Sequence, residues 1–181
     1  MSHDDYDAVV YDLDGTLVRL PVDWDRAARD AATALADAGV DADGMDLWRM
    51  LDVAEERGHR DAVEAVLSDH ECRSAEQAAR LPTADEVANA AVPVGVCSLN
   101  AERACRLALD RHGLTAHVAA VVGRDSLPTR KPDPEPLLAT LRRLGADPDR
   151  SLFVGDTERD AVTADRAGVA FRYVDDGQTE P

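Results

Sequence analysis

The sequence predicts an α/β fold. Its core is a Rossmann-like parallel sheet with helices on both faces, and a small all-helical segment is inserted after the first strand. Three observations lead there. Short apolar runs at residues 7–13, 92–98, 118–122, 151–155 and 169–174 have the length and turn-rich flanks of strands. From residue 100 onward those runs alternate with helix-length segments, which implies βαβ units. Residues 20–82 break the alternation, with helical spacing and no convincing strand.

The elements follow in order. Residues 8–17 read AVVYDLDGTL, an apolar run closed by Asp12, Asp14 and Gly15. In the insertion, DRAARDAATALADAG stops at Gly39. MDLWRMLDVAEERG carries Leu47, Trp48, Met50, Leu51 and Ala54 before Gly58. DAVEAVLSDH and SAEQAARL follow as further helical stretches. Ser74 with Gln77, and Thr83 with Glu86, match the reciprocal capping pattern. The insertion is therefore expected over 20–82, the core over 1–19 and 83–181, with hinges near 18–22 and 80–84. In 92–98, Pro93 suits the first strand position, and Gly95 permits a close approach. Asn100 is expected to cap a helix ending at Gly113. Asp133 and Pro134 read as N-cap and first helical residue of a helix ending at Gly145. A last helix runs from Thr157 to Gly168 through Ala161, Val162, Ala164 and Ala167. The tail DDGQTEP is expected to fray.

Composition limits what such a fold can do. A length of 181 residues suits one domain with a modest insertion. No apolar run is long enough for a transmembrane helix, and the acidic start MSHDDYDAVV lacks a leader's basic and apolar regions. Cys72, Cys97 and Cys105 show no C-x-x-C spacing, which fits small core or surface thiols in a reducing cytoplasm. A net charge of -16 argues against nucleic acid. The acid is 26 Asp and 10 Glu, set against 19 Arg and one Lys. That bias suggests a halophilic protein, its surface charge screened by concentrated salt.

Asp12 and Asp14 pose an electrostatic problem. Two unit charges ~5 Å apart at an effective dielectric of ~20 repel by about 3 kcal/mol. A single Asp at a strand end is usually a turn or cap residue. Two of them after AVVY, at the carboxyl end of a parallel strand, suggest a ligand site. FVGDTERD supplies Asp156 at another strand end and Asp160 four residues on. First-turn dipole compensation explains Asp160 nearly as well as a metal role. A set of Asp12, Asp14 and Asp156 calls for a hard cation with oxygen ligands, of which Mg2+ is the usual one. His3, His59, His70, His112 and His117 are scattered, which disfavours zinc. Ser98 and Asn100 precede a helix whose N-terminus favours anions. Lys131, in TRKPDPEP, is the only lysine; in so Arg-biased a chain it points to a need for a compact ammonium.

Four pieces, YDLDGTL, VCSLN, RKPDPEPLL and VGDTERD, occur in this order over residues 7–160. Together they resemble the haloacid dehalogenase superfamily, in its phosphoglycolate-phosphatase-like branch. The resemblance implies a Mg2+-dependent phosphatase acting on a small phosphorylated metabolite. Asp12 is then the nucleophile that forms an aspartyl-phosphate, and Asp14 the general acid and base. Asp12, Asp14 (through its backbone carbonyl) and Asp156 hold the metal, with Asp160, Thr157 and Gly155 in support. Ser98, Asn100 and Lys131 bind the phosphoryl oxygens. The insertion corresponds to a mobile cap that excludes water and reads the substrate. A sugar-phosphate mutase and a non-catalytic phosphate-binding or regulatory module are the alternatives. Arg19, Arg49, Arg57 and Arg60 in or near the cap, and Arg124 near the lysine loop, are candidates for reaching an anionic substrate.

Overall fold

The computed structural model describes residues 6–174. The acidic first five residues and the tail expected to fray lie outside the described residues. Five strands form one parallel sheet: β1 (Ala8–Tyr11), β4 (Val94–Cys97), β5 (Ala120–Val122), β6 (Ser151–Gly155) and β7 (Ala170–Tyr173), in the order β5-β4-β1-β6-β7. All five expected runs are strands, each shorter than its apolar run or equal to it. β1 is central, with Val9 opposite Val94 on one side and Leu152 on the other.

Layers cover both sheet faces, so the inner strands are apolar throughout rather than alternating. Val9, Tyr11, Val96 and Val154 pack on α5 (Glu102–Arg111) and α4 (Ala84–Asn89). Ala8, Val10, Cys97 and Phe153 pack on α6 (Glu135–Leu144) and α7 (Glu158–Ala167). Gly95 is needed for that second layer: a Cβ there would lie 2.6 Å from Thr140 Cγ2. α6 and α7 end at Gly145 and Gly168, both left-handed. Pro134, rather than Asp133, is the N-cap of α6, and Asp133 Oδ1 accepts the Glu135 N–H at 2.8 Å.

The insertion carries α1 (Trp24–Asp37), α2 (Leu47–Glu56) and α3 (Arg60–Ala75). These enclose an apolar cluster of their own, with Ala27, Leu35, Leu51, Val63 and Leu67 at its centre. Asp23 and Asp46 cap α1 and α2, each accepting an N–H three residues on.

Three expectations are corrected here. SAEQAARL is not a separate helix. No Gly or Pro interrupts residues 60–75, so α3 runs on through Ser74, whose hydroxyl donates to Pro21 O instead of capping. The insertion is not all-helical either: β3 (Ala79–Arg80) pairs antiparallel with β2 (Val18–Arg19) where hinges were expected. Thr83 makes no side-chain cap on α4, because its backbone is already helical, with φ -57 and ψ -24, while Glu86 accepts from Tyr11 Oη and Arg172.

Candidate active site

The site sits where β1, β4 and β6 end. Asp12 follows β1, and its N–H still donates to Val154 O at 2.9 Å. The chain then turns tightly, with Gly15 donating to Val18 O and Leu17 donating to Leu13 O, both at 2.8 Å. Gly15 has φ +84, and a Cβ there would fall 2.0 Å from Asp156 Oδ2. Glycine is thus required twice, by conformation and by the proximity of the second acidic loop.

Lys131 enters from the loop before α6 and is buried. Its Nζ lies 3.0 Å from Asp12 Oδ1 as an ion pair and 2.5 Å from Asp160 Oδ1 as a hydrogen bond. The two carboxylates hold the ammonium well above its usual range against the effect of burial. Asp160 is buried and does two things. It anchors Lys131, and through Oδ2 it accepts from Thr157 N–H and Oγ1, completing a capping box at the start of α7. Gly155 leaves room for this, since a Cβ there would meet Asp160 Cβ at 2.7 Å.

Asp12, Asp156 and Asp160 each offer an oxygen within 4.8 Å of the others. Among the described residues the buried Asp156 Oδ1 accepts no hydrogen bond, and the buried Asp12 Oδ1 has only the Lys131 ammonium near it. Burial raises Asp12 to about 7 against the pull of Lys131. Asp156 is raised by burial and by Asp160. Clustered, desolvated and under-partnered carboxylates fit a hard divalent cation such as Mg2+. The Asp14 side chain is outside this group: Oδ1 accepts the Leu20 N–H at 2.8 Å, and burial raises its pKa.

Ser98 and Asn100 are buried after β4. Ser98 Oγ donates to Asn100 Oδ1 at 3.1 Å and accepts the Asn100 N–H at 3.2 Å. Asn100 is not the cap of α5, as its spacing suggested; Ala101 holds that position. The first N–H groups of this helix are instead met by distant carboxylates. Glu71 Oε2 accepts from Ala101 at 2.9 Å, and Asp125 Oδ1 accepts from Glu102 at 2.7 Å.

The candidate arginines are mostly spoken for. Arg124 is fully buried and donates to Glu71 at 2.6 Å, Glu64 at 2.8 Å and Leu99 O at 2.8 Å. Arg60 donates to Pro128 O at 2.9 Å and Leu127 O at 3.2 Å, holding α3 against the lysine loop. Arg49 pairs with Glu56 in solvent, while Arg19 and Arg57 are exposed. Sequence reasoning missed Glu64 and Glu71, whose acidity reads as surface in so acidic a chain. It also missed a groove of about 660 Å3 between α2 and the core loops, lined by Trp48, Leu99, Pro132, Thr157 and Arg159. There the Arg159 guanidinium sits 4.8 Å from the Trp48 ring centre, and Arg130 pairs with Asp52 beside it.

A sequence profile of the haloacid dehalogenase-like hydrolases matches residues 52–174. The chain belongs to this family. This haloacid dehalogenase-like hydrolase is 29% identical over 194 residues to a phosphoglycolate phosphatase of Mesorhizobium japonicum, covering 95% of the chain and 84% of that protein. A phosphoglycolate phosphatase of Rhodospirillum rubrum is 45% identical over 78 residues, covering 43% of the chain and 32% of that protein. In fold, the hydrolase is similar to CbbY from Rhodobacter sphaeroides in complex with phosphate, with TM-score 0.66, 17% identity, and coverage of 93% and 85%. A structure titled putative phosphoglycolate phosphatase from Lactobacillus plantarum gives TM-score 0.63 at 22% identity, covering 93% and 86%.

Proposed function

We propose that this chain, a phosphoric monoester hydrolase by its relatives, cleaves a small phosphorylated metabolite through an aspartyl-phosphate on Asp12. The observation that carries the reading is the meeting of Asp12, Lys131, Asp156 and Asp160, with the buried Asp156 Oδ1 left without a donor among the described residues. Asp12, Asp156 and the Asp14 carbonyl would hold Mg2+, with Asp160 beside them. The cation would offset charge on the phosphoryl oxygens as the reaction proceeds.

An Asp12 oxygen forms the bond to phosphorus as the ester P–O bond breaks. Asp14, with its raised pKa, gives its proton to the leaving alkoxide and takes one back from the attacking water. That water releases inorganic phosphate and regenerates Asp12. Lys131 restrains Asp12 and faces the transferred group, and Ser98 adds a hydroxyl. Residues 20–82 act as the cap and 1–19 with 83–181 as the core, so the Trp48 groove receives the rest of the substrate.

The test is hydrolysis of p-nitrophenyl phosphate with and without Mg2+ in high salt. Wild type should release p-nitrophenol only with Mg2+, and Asp12→Asn should lose at least about three orders of magnitude. No Mg2+-dependent release from wild type would leave the non-catalytic phosphate-binding reading standing.

A further inference from the structure

Glu71 belongs to the insertion, on α3, and is fully buried. Yet every hydrogen bond it accepts among the described residues comes from the sheet-bearing part of the chain. Oε1 accepts from Arg124 Nη1 at 2.6 Å and from Asn100 Nδ2 at 3.3 Å. Oε2 accepts from Ala101 N–H at 2.9 Å and Arg124 Nη2 at 3.2 Å. Arg124 in turn donates to Leu99 O. One carboxylate therefore holds residues 99–101, directly or through one arginine.

The Asn100 contact has a directional consequence. An amide has one accepting and one donating end. With Nδ2 turned to Glu71, Oδ1 must face Ser98 Oγ, where it lies at 3.1 Å. Ser98 thereby gives its one proton to Asn100 and accepts the Asn100 N–H, so the turn after β4 is closed on itself and tied to Glu71. We propose that Glu71 is a positioning residue for phosphoryl binding: it fixes the backbone of residues 99–101 next to Ser98, so the phosphate loop is complete only when α3 is docked. This rests on the reading of Ser98 as a phosphoryl ligand. Glu64 provides an internal control, because it also pairs with Arg124 but makes no contact with Asn100.

Calorimetric binding of inorganic phosphate, with Mg2+ in high salt, tests the proposal. Glu71→Gln should weaken binding about tenfold, the scale of one charge-assisted hydrogen bond. Glu64→Gln should stay within about twofold of wild type. In an Asn100→Ala background, Glu71→Gln should still weaken binding, because the same carboxylate also holds the Ala101 N–H and Arg124. Wild-type affinity in Glu71→Gln, an equal loss in Glu64→Gln, or no further loss from Glu71→Gln in the Asn100→Ala background would each overturn the proposal. Should Glu71→Gln fail to fold with Arg124 left unpaired, Glu71→Gln/Arg124→Gln removes both charges together. It should show the same loss, and wild-type affinity there would overturn the proposal equally. Absence of phosphate binding by the wild type would sink the phosphate-site reading itself.

Discussion

Asp12 has lost nearly all its water and faces one cation, Lys131, which it shares with Asp160. Burial wins over that pairing and moves Asp12 up to about 7. The folded protein thus binds this proton more tightly than the unfolded chain does. Without a cation, this group's contribution to stability falls as pH rises from about 4 to about 7. That is opposite in sign to an Asp whose folded pKa is depressed. Asp12→Asn should therefore stabilise the metal-free protein at pH 8 by on the order of 1–4 kcal/mol, read as a higher melting temperature. A thermal melt with and without Mg2+ checks this: the cation should stabilise the wild type and leave the variant almost unmoved. Mg2+ affinity should rise with pH up to about 7 and then level off, since cation and proton compete for one carboxylate. Gly15→Ala should disturb the same site from the other side. Its Cβ meets Asp156 in a left-handed backbone, so we expect a cost of about 1–3 kcal/mol and weaker Mg2+ binding by titration.

At the scale of elements, the fit between α6 and the sheet is set by the missing side chain at Gly95. Gly95→Ala places a Cβ 2.6 Å from Thr140 Cγ2 and 3.1 Å from Leu144 Cδ1. Denaturant unfolding should show a loss of about 1–3 kcal/mol. Thr140→Ser deletes the clashing methyl, so the double variant should recover part of that loss. The strands and the last three helices were legible because each is bounded by a cap or a glycine that acts locally. Asp12, Lys131 and Asp156 were legible for a similar reason: a charge at a strand end, or a solitary lysine, stands out against its neighbours. α3 was harder, since it is buried on two sides. Val63 and Leu67 face the insertion's own cluster, while Glu64, Glu71 and Ser74 face the core. A face lined by acids and serine carries no apolar stripe, so periodicity could not find its docking surface. The start of α5 was misread on the same ground: its N–H groups are met by Glu71 and Asp125, which are remote in sequence. Thr83 and Glu86 show the reverse case, a local capping pattern left unused: Thr83 is already helical, and Glu86 turns to Tyr11 and Arg172.

For the whole molecule, the net charge of -16 is an unfavourable self-energy that salt relieves. We propose that the fold is adapted to concentrated salt. Melting temperature should climb steadily from about 0.1 M to about 2 M KCl, well beyond the point where the screening length has fallen below ~8 Å. A melting temperature indifferent to KCl would remove the halophilic reading. No helix among the described residues is long and apolar enough to cross a membrane.

The β2–β3 ladder has a further consequence, for how such a chain can be cut and rejoined. Val18–Arg19 and Ala79–Arg80 run side by side, so the insertion leaves and returns at adjacent points. Antiparallel strands this close need only about two residues to connect them. The ends of residues 20–78 are thus close enough for a short turn to join them, although Leu20, Ala75 and Ala78 pack into the core cluster. Exchanging the segment for such a turn would not be silent. It would carry off Glu71 and Glu64, strand Arg124 in the interior and uncap α5. Any transplanted replacement would have to bring its own buried acid to the same spot.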